Sequence, residues 1–248
     1  MTKWSGRLLA KALRIGGRVS QISGSTVNRV LRTATIKPHR IAYWKRKRDP
    51  DFDRKAKPIV DLYLNPPQDG VVVCADEKPI QVLSRQLADR LPRAPGQILQ
   101  REFEYVRHGT ICLTAALFVH TGRVLGMITP NRPAQVFVAF LDRLHAEVAP
   151  DQIIYLICDN LNTHKGPLVR SWMEEHPGRI RFFYLPNYAS WLSQIELWFN
   201  SLQRFCLELA DVQEPAAIEE LVTDYVGTYN EVEAHPYKWT YTGDVLAA

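Results

Sequence analysis

The 248-residue sequence predicts an α/β fold, a mixed sheet with helices on its faces, preceded by a small basic helical segment. Three observations predict it. After residue 69, apolar runs rich in Val and Ile alternate with stretches of helical periodicity. The early strands follow one another through turn-like connections and the later ones through helices, so antiparallel strands precede an αβαβ run. Finally, charge is split: residues 1–57 carry 16 of the 31 Lys and Arg but only 3 of the 26 Asp and Glu, a net of +13, which leaves residues 58–248 at −8. A basic head on an acidic body points to a polyanionic partner for the head.

Residues 4–15 predict a short helix, with Leu8, Leu9, Ala12 and Leu13 at helical spacing and Gly16-Gly17 as its breaker. A second helix is expected from Ser25 to Arg32, capped by Ser23 or Ser25, with Val27, Val30 and Leu31 on its apolar face. Two short helices in a basic segment suggest a helix-turn-helix in which Ser25, Thr26, Asn28, Arg29 and Arg32 face nucleic acid. A basic amphipathic pair without groove specificity is the alternative. Residues 37–57 follow, with Lys37, Arg40, the run Lys45-Arg46-Lys47-Arg48, then Arg54, Lys55 and Lys57, punctuated by Pro38, Pro50 and Pro58. With Tyr43 and Trp44 beside the run, this reads as a partly extended linker that tracks a phosphate backbone. The expected organisation is a head at 1–36, a basic linker at 37–68 and a catalytic domain at 69–248.

In the body, Gly70–Ala75 is a buried strand ending at Asp76, and Pro79–Leu83 a possible second one. Glu102 and Glu104 alternate with Phe103 and Tyr105, as in a strand with one solvated face. Thr110–Val119 is a long strand, turned by His120-Thr121-Gly122-Arg123 into Val124–Ile128. A helix over 134–147 buries Phe137, Val138, Phe140, Leu141 and Leu144. Ile153–Cys158 is another buried strand, ending at Asp159. A helix over about 166–176, a strand at Ile180–Leu185, a helix from near Ser190 and a last helix over about 215–229 complete the order.

Composition excludes several classes. With 46% apolar and 23% charged residues, the chain is neither disordered nor collagen-like nor a coiled coil. Cys74, Cys112, Cys158 and Cys206 are too widely spaced for a zinc clip and read as reduced, structural thiols of a cytoplasmic protein. Neither a signal peptide nor a membrane-length apolar run is found.

The chemistry lies in three acids. Asp76 and Asp159 each follow a buried strand, which sets carboxylates at the carboxyl edge of a sheet, where open α/β folds place their sites. If the two strands are parallel neighbours, the acids lie side by side and repel unless a cation separates them. Hard oxygen ligands suit Mg²⁺ or Mn²⁺. Glu196 lies in the apolar segment Trp191–Phe199, where a carboxylate is costly unless a cation or a cleft receives it. Trp191 and Trp198 read as core. Three carboxylates around two divalent ions suit phosphoryl transfer on nucleic acid. Lys78 and Lys165 each follow an acid and are placed to steer phosphate; Glu77 reads as a surface residue or a neighbour of the site.

Four stretches carry a resemblance: Cys74-Ala75-Asp76-Glu77-Lys78-Pro79, Arg101–Thr110, Asp159-Asn160-Leu161-Asn162-Thr163-His164-Lys165 and Ala189–Glu196, with His235–Gly243 closing the pattern. Together they resemble the DDE transposases of mariner-like bacterial insertion sequences, the group named for insertion sequence 630. The resemblance implies a ribonuclease-H-like five-stranded mixed sheet with helices on both faces. It implies that Asp76, Asp159 and Glu196 hold two Mg²⁺ or Mn²⁺ ions. Asn160 and His164 would back those acids or contact DNA. The implied partners are double-stranded DNA, as terminal inverted repeats and target, and a second copy of the chain on that DNA, in a bacterial cytoplasm at the nucleoid and without a membrane. Relatives open with a two-part helix-turn-helix region of which only the second part is expected here, and Ser193 stands where they often carry Asn. The rival expectations are a truncated, inactive remnant that only binds DNA, and a plain ribonuclease-H-like nuclease.

Overall fold

The computed structural model describes residues 4–35 and 49–241, which fall in two compact units divided after Arg46. The first holds two helices, α1 (Gly6–Ile15) and α2 (Gly24–Thr33), joined by residues 16–23. Ser5 caps α1 by accepting from the Leu8 N–H, and Ser23 caps α2 by accepting from the Thr26 N–H. The helices cross where both carry glycine: a Cβ on Gly6 would press on the Asn28 side chain and lie 2.8 Å from the Gly24 carbonyl. The run Lys45-Arg46-Lys47-Arg48 lies outside the described residues.

In the second unit the elements are α3 (Phe52–Leu64), β1 (Gly70–Ser84), β2 (Val106–Phe118), β3 (Val124–Thr129), α4 (Ala134–Glu147), β4 (Ile153–Cys158), α5 (Pro167–Glu175), β5 (Ile180–Tyr184), α6 (Ile195–Leu202) and α7 (Pro215–Val232). The strands form one sheet in the order β3-β2-β1-β4-β5. The pairs β1–β2 and β2–β3 are antiparallel, and β1–β4 and β4–β5 are parallel. One face buries Val72, Cys74, Tyr155 and Ile157 beneath α3, α6 and α7; the other buries Val73, Ala75, Ile154 and Leu156 beneath α4 and α5. The mixed sheet with helices on both faces is as the sequence predicts.

Three local expectations change. Residues 52–64, assigned to a linker, fold as α3, because Phe52, Ala56, Ile59, Val60 and Tyr63 recur at helical spacing and bury their faces in the main core. The two strands around Asp76 are one: β1 runs through Asp76 and Pro79 to Ser84. Pro79 is tolerated because β4 pairs β1 only as far as Cys74, so one edge of β1 is free beyond it. Residues 101–105 are not a strand. Arg101 turns back to Asp89 (Nη2 to Oδ2 2.7 Å), and the Glu102 carboxylate accepts from the Gln86 and Leu87 N–H groups, stapling the connection between β1 and β2. At the far end of the chain, Trp239 packs on Tyr63 with ring centroids 4.6 Å apart.

Candidate active site

The parallel register pairs Gly70 with Ile153 and continues to Cys74 with Ile157. Asp76 and Asp159 each lie two residues beyond that last pair, Asp159 just past the end of β4. Strand alternation gives Asp76 the face of Cys74, the face that α6 covers, while Asp159 has its Oδ1 2.8 Å from His164, whose ring packs on Phe137 of the other core. Glu196 lies in the first turn of α6, half-buried, next to Ile195, which is packed into the same core. A short 3₁₀ turn at Ser190–Leu192 precedes α6, so that helix begins later than the sequence predicts.

Asp76 is pushed up to about 7, first by burial and then by the like charges of Glu77, Asp159 and Glu196, against the opposing Glu77 N–H bond. Three acids therefore share one electrostatic neighbourhood. Burial works against the charge of Asp159 as well, but the hydrogen bond and charge of His164, the Leu161 N–H and Arg132 outweigh it and hold that carboxyl below its usual range. His164 is raised to about 12: burial opposes its charge, and contacts with Asp159, Cys158 and Glu77 override it.

The other expected residues divide. His164 is buried, its side chain 1% exposed, which rules out a DNA contact and leaves it behind Asp159. Asn160 sits beside Asp159 and donates weakly to the Asn187 side chain at 3.5 Å. Lys78 lies over the Phe199 ring (5.8 Å), on the α6 side with the acids, and Lys165 over Tyr184 (4.2 Å) at the end of β5. In the head, Arg29 and Arg32 are exposed, whereas Ser25 and Thr26 bond the capping Ser23 hydroxyl at 2.7 and 2.9 Å and Asn28 leans on Gly6. Trp198 is fully buried core, as predicted.

One residue was left open by the sequence and one was missed. Glu77, read as a surface residue or a neighbour of the site, has a side chain only 6% exposed and lies 2.9 Å from His164 Nε2 through its Oε1, so it is the neighbour. Its place directly after Asp76 on an alternating strand was the available signal. Arg132, between β3 and α4, brings a positive charge to Asp159 that no sequence spacing announces.

The donor set fits a hard divalent cation. Asp76 and Asp159 each have only one oxygen engaged in hydrogen bonds among the described residues, the Oδ1 atoms accepting from Glu77 N at 2.7 Å and Leu161 N at 3.1 Å. Asn160 Oδ1 and Gln194 Oε1 are buried acceptors with no donor among the described residues, as suits the water shell of a cation. Among the described residues, no three His, Cys, Asp or Glu side chains are already drawn together as a closed metal cage. A cavity of ≈ 360 Å³ between β3, α4 and α7 contains none of the three acids.

Comparison with known proteins agrees with this layout. Residues 71–218 match the family described as DDE superfamily endonuclease. The chain is 32% identical over 199 residues to a 39 kDa protein of insertion element IS630 from Shigella sonnei, covering 79% of this chain and 56% of that protein. The chain thus spans little more than half the length of that curated relative. Among solved structures it resembles a pre-cleavage Mos1 transpososome (TM-score 0.56, 15% identity, 90% of this chain and 67% of the other). It also resembles the Mos1 mariner paired-end complex with Mg (TM-score 0.56, 15% identity, 94% and 69%) and the Mos1 catalytic domain (TM-score 0.52, 11% identity, 76% and 85%). At these identities the likeness is one of fold: a ribonuclease-H-like mixed sheet with flanking helices.

Proposed function

The chain belongs to the DDE superfamily endonucleases and is of the mariner/IS630 transposase type, and from this premise we propose that it cuts DNA at transposon ends and joins the freed 3′-hydroxyl to target DNA. The observation that supports this reading is that Asp76 and Asp159 follow the last paired residues of the parallel strands β1 and β4 by two positions each, and that Asp159 and Glu196 both bring negative charge to Asp76.

Asp76, Asp159 and Glu196 would hold two divalent cations, Mg²⁺ or Mn²⁺, the metals named for the Mos1 paired-end complexes. Bound there, such ions lower the pKa of an attacking water or 3′-hydroxyl and stabilise the leaving oxygen of an in-line displacement. The chain's own residues position and neutralise. His164 steadies Asp159 from behind. Arg132, Lys78 and Lys165 offset the negative charge that phosphate brings to an acidic site. No nucleophilic side chain is needed, since water or a DNA hydroxyl attacks.

The exposed Arg29 and Arg32 of the head, with Lys45-Arg46-Lys47-Arg48, supply the positive charge that draws DNA to a body of net charge −8. Two transposon ends must meet, so the working unit is a homodimer on DNA; Mos1 is likewise described in paired-end complexes. The place of action is the bacterial nucleoid. No helix among the described residues is long and apolar enough to cross a membrane.

The test is strand transfer. The protein is incubated with Mg²⁺ or Mn²⁺, a pre-cleaved duplex of the element's own terminal repeat, and plasmid. Joined products that vanish in Asp76→Asn and Glu196→Gln support the reading. Binding of the duplex without cutting or joining in either metal overturns it in favour of a DNA-binding remnant.

A further inference from the structure

We propose that Glu77 is a positioning residue: acting through His164, it fixes the Asp159 carboxylate so that one of its oxygens stays free for a cation. The inference rests on the reading of Asp76, Asp159 and Glu196 as a cation-holding site.

Asp76 and Glu77 are neighbours on β1, so the pleat sends them to opposite faces of the sheet. Asp76 takes the α6 face. Glu77 takes the face of Val73 and Ala75, where its side chain is 6% exposed. There its Oε1 lies 2.9 Å from His164 Nε2, while His164 Nδ1 lies 2.8 Å from Asp159 Oδ1 and 3.5 Å from the Asp159 carbonyl oxygen. Both ring nitrogens meet carboxylate oxygens, so the imidazole ring bridges two acids.

The bridge is held on every side. The ring stacks on Phe137 at a centroid distance of 4.0 Å, and the His164 carbonyl accepts from the Tyr184 hydroxyl at 3.1 Å. Asp159 Oδ1 also accepts from the Leu161 N–H at 3.1 Å. One oxygen of Asp159 is thereby committed to the protein. Its Oδ2 has no hydrogen bond among the described residues, and the side chain keeps 32% of its exposure.

Packing alone does not account for this arrangement. A buried ion pair contributes little net stability and is often matched by apolar residues of the same volume. Here the pair also leaves Glu77 Oε2 buried without a partner, a further cost. What the arrangement supplies is orientation. Removing the Glu77 carboxylate leaves the Nε2 proton of a nearly inaccessible ring without an acceptor and frees the ring to turn away from Asp159. Partners one step behind metal ligands fix ligand geometry in this way, and their loss typically lowers metal affinity or activity about 10–100-fold.

The test uses the full chain and two readouts: binding of Mn²⁺ alone, by titration calorimetry or electron paramagnetic resonance, and the kcat and KM of strand transfer. The variants are Glu77→Ala, Glu77→Gln, His164→Gln and Asp159→Asn. The expected result is that Glu77→Ala and His164→Gln weaken Mn²⁺ binding about 10–100-fold and lower kcat, with KM for DNA unchanged. Glu77→Gln, which keeps an acceptor oxygen, recovers part of the loss. Wild-type Mn²⁺ affinity in Glu77→Ala, alongside loss of binding in Asp159→Asn, overturns the positioning role and leaves the site reading standing. Wild-type affinity in Asp159→Asn overturns the site reading and the positioning role with it. A rise in KM alone assigns Glu77 to DNA binding and overturns the proposal. Should Glu77→Ala fail to fold by circular dichroism, full Mn²⁺ affinity in His164→Gln overturns it equally.

Discussion

The Tyr63 hydroxyl donates to the Leu192 carbonyl at 2.8 Å and lies 3.1 Å from the Cys74 sulfur. One buried side chain of α3 thus touches β1 two residues before Asp76 and the turn four residues before Glu196. The first and third acids share a common brace. Tyr63→Phe removes the donor and leaves the buried carbonyl without it, at an expected cost of about 1–3 kcal/mol. Urea unfolding measures that cost. In strand-transfer assays the variant should lose kcat while duplex affinity holds, because the head is untouched. An unchanged kcat would show that α6 finds its place without this brace.

That brace was not legible from the sequence. The spacing of Phe52, Ala56, Ile59, Val60 and Tyr63 is helical, but Arg54, Lys55, Lys57 and Pro58 give the same stretch the look of a basic linker. Local charge outweighed periodicity in the reading; burial against the sheet outweighs the missing N–H of Pro58 in the fold. The three acids were legible for a simpler reason. Buried strands announce themselves by composition, and the acids that follow them must lie near a sheet edge. The link from Glu77 through His164 to Asp159 joins residues 82 positions apart in sequence, and only the strand register brings them together.

Asp49 gives a pH-dependent signature. Its carboxylate is 1% exposed, 2.8 Å from Lys55 Nζ, and accepts from the Asn187 N–H at 2.8 Å. The Lys55 hydrogen bond and then the Asn187 N–H lower its pKa to about 2, against some burial. A depressed carboxyl binds protons more weakly folded than unfolded, so its contribution is present above about pH 4 and fades as pH falls toward 2. Wild type should therefore exceed Asp49→Asn in urea midpoint at pH 6, and the gap should narrow at pH 3. A gap that stays constant would locate the effect in packing instead of charge.

Gly122 tests the closing segment of the chain. The turn between β2 and β3 holds Gly122 at φ 75°, and a Cβ there would run into the backbone of His235. Gly122→Ala must both strain the turn and displace the segment that carries Tyr237 and Trp239 into the core. Left-handed strain alone costs about 1–3 kcal/mol. The variant should unfold at lower urea, with Trp fluorescence reporting the displaced Trp239. Stability equal to wild type would mean that the closing segment detaches at no cost.

Of the five α2 residues expected to face DNA, three are held by contacts within the head. Ser25 and Thr26 are bonded to the α2 cap, and Asn28 rests on Gly6 at the helix crossing. Arg29 and Arg32 remain, exposed and three residues apart, which places them on one side of α2. If each meets one phosphate, each contributes about 0.9 to the slope of log K against log salt. Arg29→Ala with Arg32→Ala should flatten that slope by about 1.8 and weaken binding to terminal-repeat and unrelated duplexes alike. A loss confined to the terminal repeat would instead assign these arginines to base edges, making α2 a recognition helix. An unchanged slope would remove α2 from the phosphate contact and leave that role to the other basic residues, Arg7, Lys11, Arg14 and Arg18 among them.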